Sequence, residues 1–119
     1  MKKYLELFKS LGDENRLRIL LMLNIRPLCV CEITEVLDIA LSTISAHLKL
    51  MKNAELIEDE KEGRWVIYRL VRGNKFLDEL IVLLKDRLQN DEKVIHDRKI
   101  ISQITREICA SKLKEKQYN

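Results

Sequence analysis

The chain has 119 residues, of which 46% are apolar and only 5% aromatic, and its formal net charge is +3. This length fits one domain, and the composition is typical of a mostly helical protein with a core of Leu and Ile. No run approaches the roughly 18 apolar residues of a membrane span, and no secretory apolar run follows the basic start Met1–Lys3. We therefore expect a soluble, cytoplasmic protein whose three cysteines stay reduced and form no disulfide framework.

The beginning of the chain predicts two helices. The first runs from Lys2 to Leu11 and stops at Gly12. Its apolar face is expected to comprise Leu5, Phe8 and Leu11. Asp13 is suited to cap the second helix, which runs to Asn24. Because this second helix is apolar nearly all round, we expect it at the centre of the domain.

Two further apolar patterns have helical spacing and lie close together. One runs from Val30 to Leu37, the other from Leu41 to Met51, and Asp38–Ala40 forms a short break between them. Two short helices joined by a three- or four-residue turn are the signature of a helix-turn-helix. Such a turn usually contains Gly, and this one does not.

The apolar period changes after the helix-turn-helix. Residues 56–70 alternate and predict a two-stranded β ribbon with its turn at Glu62–Gly63. A ribbon in this position is the wing of a winged helix. A helical pattern resumes from Phe76 to Leu88, and we expect a last helix from Asp91 to about Lys116.

Basic residues without acids occupy two segments, 41–54 and 64–75, which become one patch only if the fold brings them together. The second helix of a helix-turn-helix enters the major groove with its N-terminal residues at the base edges. The side chains expected at DNA are Ser42, Thr43, Ser45, His47 and Lys49 on that helix, and Lys61 and Arg64 at the wing tip. The alternative is a solvated helix face beside a surface hairpin, but the order of the two elements favours DNA binding.

Four stretches of sequence carry a resemblance to a known family: "LGDENRLRILLML", "LCVCEI", "STISAHLKLMKNAELI" and "EGRWVIYRL". Through them, residues 5–75 resemble the ArsR/SmtB family of metal-responsive winged-helix repressors. The resemblance implies a repressor that leaves its operator when a metal or metalloid binds. It also implies that "LCVCEI" is the metalloid-sensing box.

The recognition helix departs from the family pattern at two places. Ala40–Leu41 stands where members often carry Ser-Gln, and Ala46 stands where an Arg usually precedes the His. We therefore expect sparser base readout, which depends more on DNA shape and on Ser42, Thr43 and Ser45.

Cys29 and Cys31 flank a single valine soon after Pro27, the only proline in the chain. In a regular helix, residues two apart point to nearly opposite sides, so both thiols can bind one centre only if the first turn is irregular. Pro27 favours such a start. Soft thiolates prefer As(III), Sb(III) or soft divalent metals over hard ions. The alternative is that the two cysteines are merely small apolar residues.

A third thiolate would suit a trivalent metalloid. The family's arsenic sensors often place it three residues after the second cysteine, where this chain has Thr34. Cys109 is the remaining candidate, because a helix from Asp91 to Cys109 would be about 27 Å long and could return to another part of a dimer. The alternatives are a solute thiol, a carboxylate such as Glu32, or a Cys109 that is an ordinary half-buried residue.

A zinc site is not expected. The family's zinc sensors use paired Asp/His ligands on the C-terminal helix, with a second His and an acid further along. This chain offers His96, Asp97 and Glu107 but lacks the second His and the right spacing.

We therefore predict a mainly α fold, a winged helix-turn-helix with a two-stranded β wing, which forms a homodimer through its terminal helices. Residues 1–90 are expected to form the DNA-binding domain, and 91–119 a helical extension for dimerisation or effector binding. The predicted function is a transcriptional repressor, not an enzyme. It would bind an inverted-repeat operator and leave it when As(III) or Sb(III) binds Cys29, Cys31 and a third ligand, for which Cys109 is the candidate.

Three other functions stay open. The same thiol pair could sense Cd(II), Pb(II) or oxidation, again in a repressor. A thiol oxidoreductase would use Cys-x-Cys, but the βαβ setting of such enzymes is absent from the predicted elements. A plain helical interaction module would leave the wing without a purpose.

Overall fold

A computed structural model describes residues 1–111 of the chain. Its elements are α1 (Lys2–Leu11), α2 (Glu14–Ile25), β1 (Leu28–Cys29), α3 (Val30–Leu37), α4 (Leu41–Asn53), β2 (Ile57–Glu62), β3 (Trp65–Leu70), α5 (Lys75–Leu88) and α6 (Glu92–Ile101). Residues 106–111 are again helical, and we call them the C-terminal segment. The predicted class, a mainly α winged helix-turn-helix, is confirmed. No helix within residues 1–111 is long and apolar enough to cross a membrane.

Local signals position the central helices. The Asp13 carboxylate accepts a hydrogen bond from the Arg16 N–H at 3.1 Å, so α2 begins where its cap residue predicts. The middle of α2, residues 19–23, is buried as expected. Asp38 ends α3 in the left-handed conformation, with φ of 51°, and so takes the place of the missing glycine in the turn before α4.

The sheet has three strands within the described residues, in the order β1-β3-β2, and not the two predicted. The β2–β3 hairpin is the wing, and its turn residue Gly63 has a φ of +62°, which glycine adopts at low cost. The additional strand β1 pairs with the other edge of β3, with Leu28 opposite Tyr68 and Cys29 opposite Ile67. A two-residue strand after Pro27 has too little alternation to be recognised from its sequence.

The prediction of one continuous helix from Asp91 is wrong, because α6 ends at Ile101 and the chain turns before the C-terminal segment. The Ser102 hydroxyl donates to the Lys99 carbonyl at 2.6 Å, and the Thr105 hydroxyl accepts from the Ile108 N–H at 3.3 Å. These short polar side chains satisfy helix ends and so favour a break. The helix end predicted near residue 116 lies outside the described residues.

The buried face of α1 also differs from the prediction. Leu7 lies in the core, whereas Leu5 and Phe8 are 59% and 55% exposed. Two aromatic rings of α1 pack edge-on against Phe76 of α5: Tyr4 at 5.0 Å and Phe8 at 6.2 Å between ring centroids. The outer faces of α1 and α5 thus expose large apolar side chains, namely Tyr4, Leu5, Phe8, Val82 and Leu83.

Helix α6 packs on α2 and on the core of the winged helix-turn-helix. Asp97 of α6 is buried and receives two hydrogen bonds from Arg18 of α2, at 2.7 and 2.9 Å. Ile101 belongs to the same hydrophobic core as α2, α3 and α4. A functional division at residue 90 stays a prediction.

Candidate DNA interface and thiol site

Helix α4 presents the polar face that the sequence predicts. Ile44, Leu48 and Met51 are buried in the core. The opposite face leaves Ser42, Thr43, Ser45 and Lys49 exposed. Short hydroxyl side chains and a lysine at the start of a second helix are groups that reach base edges and phosphates.

His47 lies between this exposed face and the core. It is half-buried, and its Nδ1 is 3.1 Å from Nη1 of Arg16 on α2. The Arg16 Nε donates in turn to the Ser10 carbonyl at 2.6 Å. Arg16 thus adds positive potential beside His47 at α4. The sequence pattern did not single out this residue.

The wing carries its two predicted basic residues at its tip. Lys61 and Arg64 are both exposed, and the Arg64 guanidinium lies over the Trp65 ring, 4.8 Å from its centroid. Two other basic groups of the proposed patch are paired with acids. Lys52 binds Asp59 and Arg69 binds Glu60, at 2.8 and 2.7 Å. Asp59 and Glu60 of β2 thus offset the charge of these two groups. The basic surface therefore consists mainly of the exposed face of α4 and the tip of the wing.

Cys29 and Cys31 do meet at the start of α3. Cys29 is the residue before α3 and is extended, with φ of −86° and ψ of 166°, whereas Cys31 lies in the first turn. This change of conformation brings their sulfur atoms to 2.7 Å from each other. The two thiols thus meet because Cys29 lies before the helix, and the helix itself begins regularly at Val30. Both side chains are nearly inaccessible to solvent, with 2% and 8% exposure.

Cys109 joins the same buried cluster from the C-terminal segment. Its exposure is 1%, and the cluster comprises the three cysteines and Ile67, covered by Trp65 and Ile104. The interpretation of Cys109 as half-buried is therefore wrong. It also reaches the thiols of its own chain through the turn after α6, and not along a continuous 27 Å helix to another part of a dimer.

The thiol cluster is not arranged as a finished metal site. Within residues 1–111, no group of three or more His, Cys, Asp or Glu side chains has the geometry to hold a metal ion. The three cysteines form no disulfide with one another. A ligand at the thiols therefore requires the side chains to rearrange around it.

Burial controls the protonation of these thiols. Desolvation raises the pKa of Cys29, and its hydrogen bond with Cys31 raises that pKa further. Desolvation likewise raises the pKa of Cys31, partly opposed by the same hydrogen bond, while the nearby Cys109 adds to the increase. Both groups are therefore neutral thiols near neutral pH.

Glu32 has structural partners on both sides. Its buried carboxylate accepts a hydrogen bond from the Cys29 N–H at 3.0 Å and binds Arg26 at 2.8 Å. Arg26 also donates to the carbonyls of Ile101 and Ile104, at 3.3 and 3.1 Å. The pair thus fixes the start of α3 to the turn after α6, and this engagement disfavours Glu32 as the third ligand.

The residues considered for zinc are engaged elsewhere. Asp97 is bound by Arg18, and its Oδ1 is 2.9 Å from Nδ1 of His96. Glu107 lies on the C-terminal segment, where it pairs with Arg106 at 3.5 Å. The structure thus gives the three no common centre.

Residues 13–59 match the sequence model of the family described as "Bacterial regulatory protein, arsR family". The chain is 46% identical over 67 residues to the "Arsenical resistance operon repressor" of Escherichia coli K12, covering 56% of this chain and 57% of that protein. It is 41% identical over 71 residues to the protein of the same name from Bacillus subtilis 168, covering 59% and 68%. The chain belongs to the ArsR family. The matched part of the chain covers 57% of the length of the first relative and 68% of the length of the second.

Two solved structures of other proteins share the fold. Reduced HlyU from Vibrio cholerae has a TM-score of 0.66 and 31% identity, covering 72% of this chain and 88% of that one. A homodimeric winged helix-turn-helix DNA-binding domain from Mycobacterium bovis, a possible ArsR-family regulator, has a TM-score of 0.64 and 25% identity, covering 76% and 82%. The fold is thus that of DNA-binding regulators.

The relatives of this chain differ in the metal or metalloid that their names mention. The "Cadmium resistance transcriptional regulatory protein CadC" of Listeria innocua is 34% identical over 84 residues, covering 68% of this chain and 70% of that protein. Family membership therefore leaves the inducer open, and the chemistry of the thiol cluster has to decide between the candidates.

Proposed function

We propose that this ArsR-family protein is a transcriptional repressor that binds operator DNA as a homodimer and leaves it when As(III) or Sb(III) binds Cys29, Cys31 and Cys109. The observation that carries the proposal is the cluster itself. All three cysteines of the chain converge in one buried place, although two come from β1–α3 and one from the C-terminal segment. A soft trivalent centre is the ligand that three thiols suit.

Proton balance favours a metalloid over a divalent metal. Arsenous acid, As(OH)₃, is neutral, and with three thiols it forms three As–S bonds, breaks three As–O bonds and releases three waters. The thiol protons leave with those waters, and the product is neutral. A divalent metal bound by three thiolates would instead carry a negative charge in a desolvated cluster, which burial disfavours. The raised thiol pKa values therefore support As(III) or Sb(III).

The thiol cluster adjoins both DNA-contacting elements. Cys31 lies in α3, which leads through a short turn to the recognition helix α4. Cys29 lies in β1, which is paired with the wing strand β3. Separating the thiols to admit a ligand displaces the start of α3 and the edge of the sheet together. Ligand and operator thus each weaken the binding of the other, which is a reciprocal coupling free energy.

The exposed apolar faces of α1 and α5 support a homodimer. The two helices together expose Tyr4, Leu5, Phe8, Val82 and Leu83, which a second copy of the chain would cover. A two-fold dimer presents two α4 helices, and their half-sites lie about one helical turn of DNA apart. An inverted-repeat operator follows from this symmetry.

An operator-binding titration tests the proposal. An operator fragment selected from random DNA with the unliganded protein is bound first, and arsenite, antimonite, Cd(II) or Zn(II) is then added separately. We expect release by arsenite and antimonite at concentrations at which Zn(II) has no effect. Retention of the DNA at saturating arsenite, with arsenite shown to be bound, would contradict the proposed induction.

A second candidate is a repressor of the same fold that responds to Cd(II) through the same thiols. The similarity to the cadmium regulator favours it. A thiol oxidoreductase is disfavoured, because reactive cysteines need a lowered thiol pKa and these thiols have raised ones.

A further inference from the structure

Arg106 contacts both parts of the molecule that induction has to connect, the thiol cluster and the wing. Its backbone carbonyl accepts a hydrogen bond from the Cys31 thiol at 3.6 Å. Its guanidinium lies over the Trp65 ring, 5.7 Å from the centroid, and is 3.6 Å from the Glu62 carboxylate. Because Glu62 ends β2 and Trp65 begins β3, one residue joins a sensor thiol to both strands of the wing.

The same tryptophan also contacts the basic residue at the wing tip. The Arg64 guanidinium is 4.8 Å from the Trp65 centroid, so two arginines share one indole ring. The Glu62 carboxylate, at the strand end opposite Trp65, pairs with Arg106 and offsets part of that residue's charge. A displacement of Arg106 therefore changes the surroundings of the Trp65 ring on which the exposed Arg64 at the wing tip rests.

Ligand binding changes the thiol contacts of the segment that carries Arg106. The Cys29 and Cys31 sulfur atoms are 2.7 Å apart, whereas two sulfurs that bind one pyramidal As(III) centre, with bonds of ~2.3 Å and angles of about 90°, stand roughly 3.3 Å apart. The thiols therefore separate when they bind one centre. The Cys31 thiol donates a hydrogen bond to the Arg106 carbonyl, and Cys109 lies on the same helical segment, so a rearrangement of the thiols acts directly on that segment.

We propose that Arg106 is a coupling residue, which transmits ligand binding at the thiols to the wing tip through Trp65 and Glu62. The inference rests on the proposed function and adds a second route to DNA release, beside the displacement of α3 and α4. Along this route Arg64 is withdrawn from the phosphate backbone when the C-terminal segment moves.

The only tryptophan of the chain makes the route measurable, because Trp65 emission reports the surroundings of its ring. The experiment uses the full chain with arsenite as the probe. Three quantities are measured: arsenite bound per chain by equilibrium dialysis, Trp65 emission, and the ratio of operator affinity without and with saturating arsenite. The variants are Arg106→Ala and Arg106→Lys, with Arg98→Ala as control because Arg98 is an exposed arginine at the end of α6.

In the parent, we expect arsenite to change Trp65 emission. The arsenite concentration at the midpoint of this change should equal that at the midpoint of DNA release. Arg106→Ala should bind as much arsenite as the parent, lose most of the emission change, and show an affinity ratio reduced roughly two- to fivefold, as one exposed cation–π contact would give. Arg106→Lys keeps the charge but not the planar contact, so it should recover part of the ratio. Arg98→Ala should behave as the parent.

Two results would overturn the coupling role while leaving the proposed function intact. One is an Arg106→Ala variant with the parent's affinity ratio. The other is a variant whose arsenite uptake falls in step with release, because Arg106 would then only position Cys109. If the parent itself takes up no arsenite, the proposed function fails, and the coupling role fails with it.

Discussion

Cys29 and Ile67 are register partners in the antiparallel ladder between β1 and β3. Cys29, the residue directly before α3, is therefore part of the same sheet as the wing. Because α3 also leads directly into α4, the thiol cluster is next to both elements that a winged helix applies to DNA. A ligand at the thiols can therefore act on DNA binding without contacting the DNA.

Replacing either thiol at the start of α3 should separate sensing from DNA binding. Cys29→Ser and Cys31→Ser should keep operator affinity nearly unchanged, because these buried side chains lie away from the exposed face of α4. Both should lose release by arsenite, since serine is a poor ligand for a soft centre. Operator binding with and without arsenite measures both quantities. Normal release by both variants would mean that the two cysteines serve only packing.

Cys109 decides between the models for the third ligand. If it binds the metalloid, Cys109→Ser should need more arsenite for release, by at least the roughly 10–100-fold that loss of an outer-shell partner costs a metal site. Cys109→Ala is the matched control for burying a hydroxyl, and it should show the same loss. A parent-like arsenite response in both variants would point to a solute thiol as the third ligand.

The pH dependence of uptake should distinguish the two candidate inducers. Burial raises the thiol pKa of Cys29 and Cys31 above the ordinary value of 9.0, so both are protonated from pH 6 to 8. Cd(II) must displace those protons, and its affinity should rise with pH by up to about tenfold per unit for each thiol. Arsenous acid releases water instead, so its affinity should stay nearly constant. Equilibrium dialysis across this pH range gives both slopes.

The two DNA-contacting elements should contribute differently to recognition. Arg64→Ala removes an exposed charge at the wing tip, so binding should weaken alike for all sequences and the salt dependence should decrease. Thr43→Ala removes an exposed hydroxyl near the start of α4, so it should change the preference among operator variants. Binding is measured on a panel of operators at two salt concentrations. Identical effects of both substitutions would argue against this division.

Local signals in the sequence predicted most of the fold. Asp13 caps α2, the Asp38–Ala40 break separates α3 from α4, and the wing turns at Gly63. Each of these features is determined by residues that are close together in the sequence. The face of α1 was predicted wrongly because Phe8 satisfies the helical period but packs against Phe76 of α5 at the surface, while Leu7 enters the core.

The thiol site could be predicted only in part. The irregular start at Cys29 follows from the proline and the close spacing of the thiols. The position of Cys109 beside the other two thiols could not be predicted. It depends on the turn after α6 and on the hydrogen bonds from Arg26 to the carbonyls of Ile101 and Ile104. Ser102 and Thr105 were the available signals, since both are typical of helix ends.

The ion pair between Arg18 and Asp97 should determine how firmly α6 is held on α2. Their side chains are only 14% and 5% exposed, and two hydrogen bonds join them. Asp97→Ala leaves a partly buried guanidinium without its acceptor and should lower the free energy of unfolding by about 2–3 kcal/mol, below the roughly 3–5 kcal/mol of a fully buried pair. The pair Arg18→Met with Asp97→Leu should recover most of that loss, because no buried charge remains. Urea unfolding at one fixed protein concentration measures both, since the proposed dimerisation would also contribute to stability. A loss below about 1 kcal/mol for Asp97→Ala, the usual size for an exposed pair, would show that water reaches this bridge.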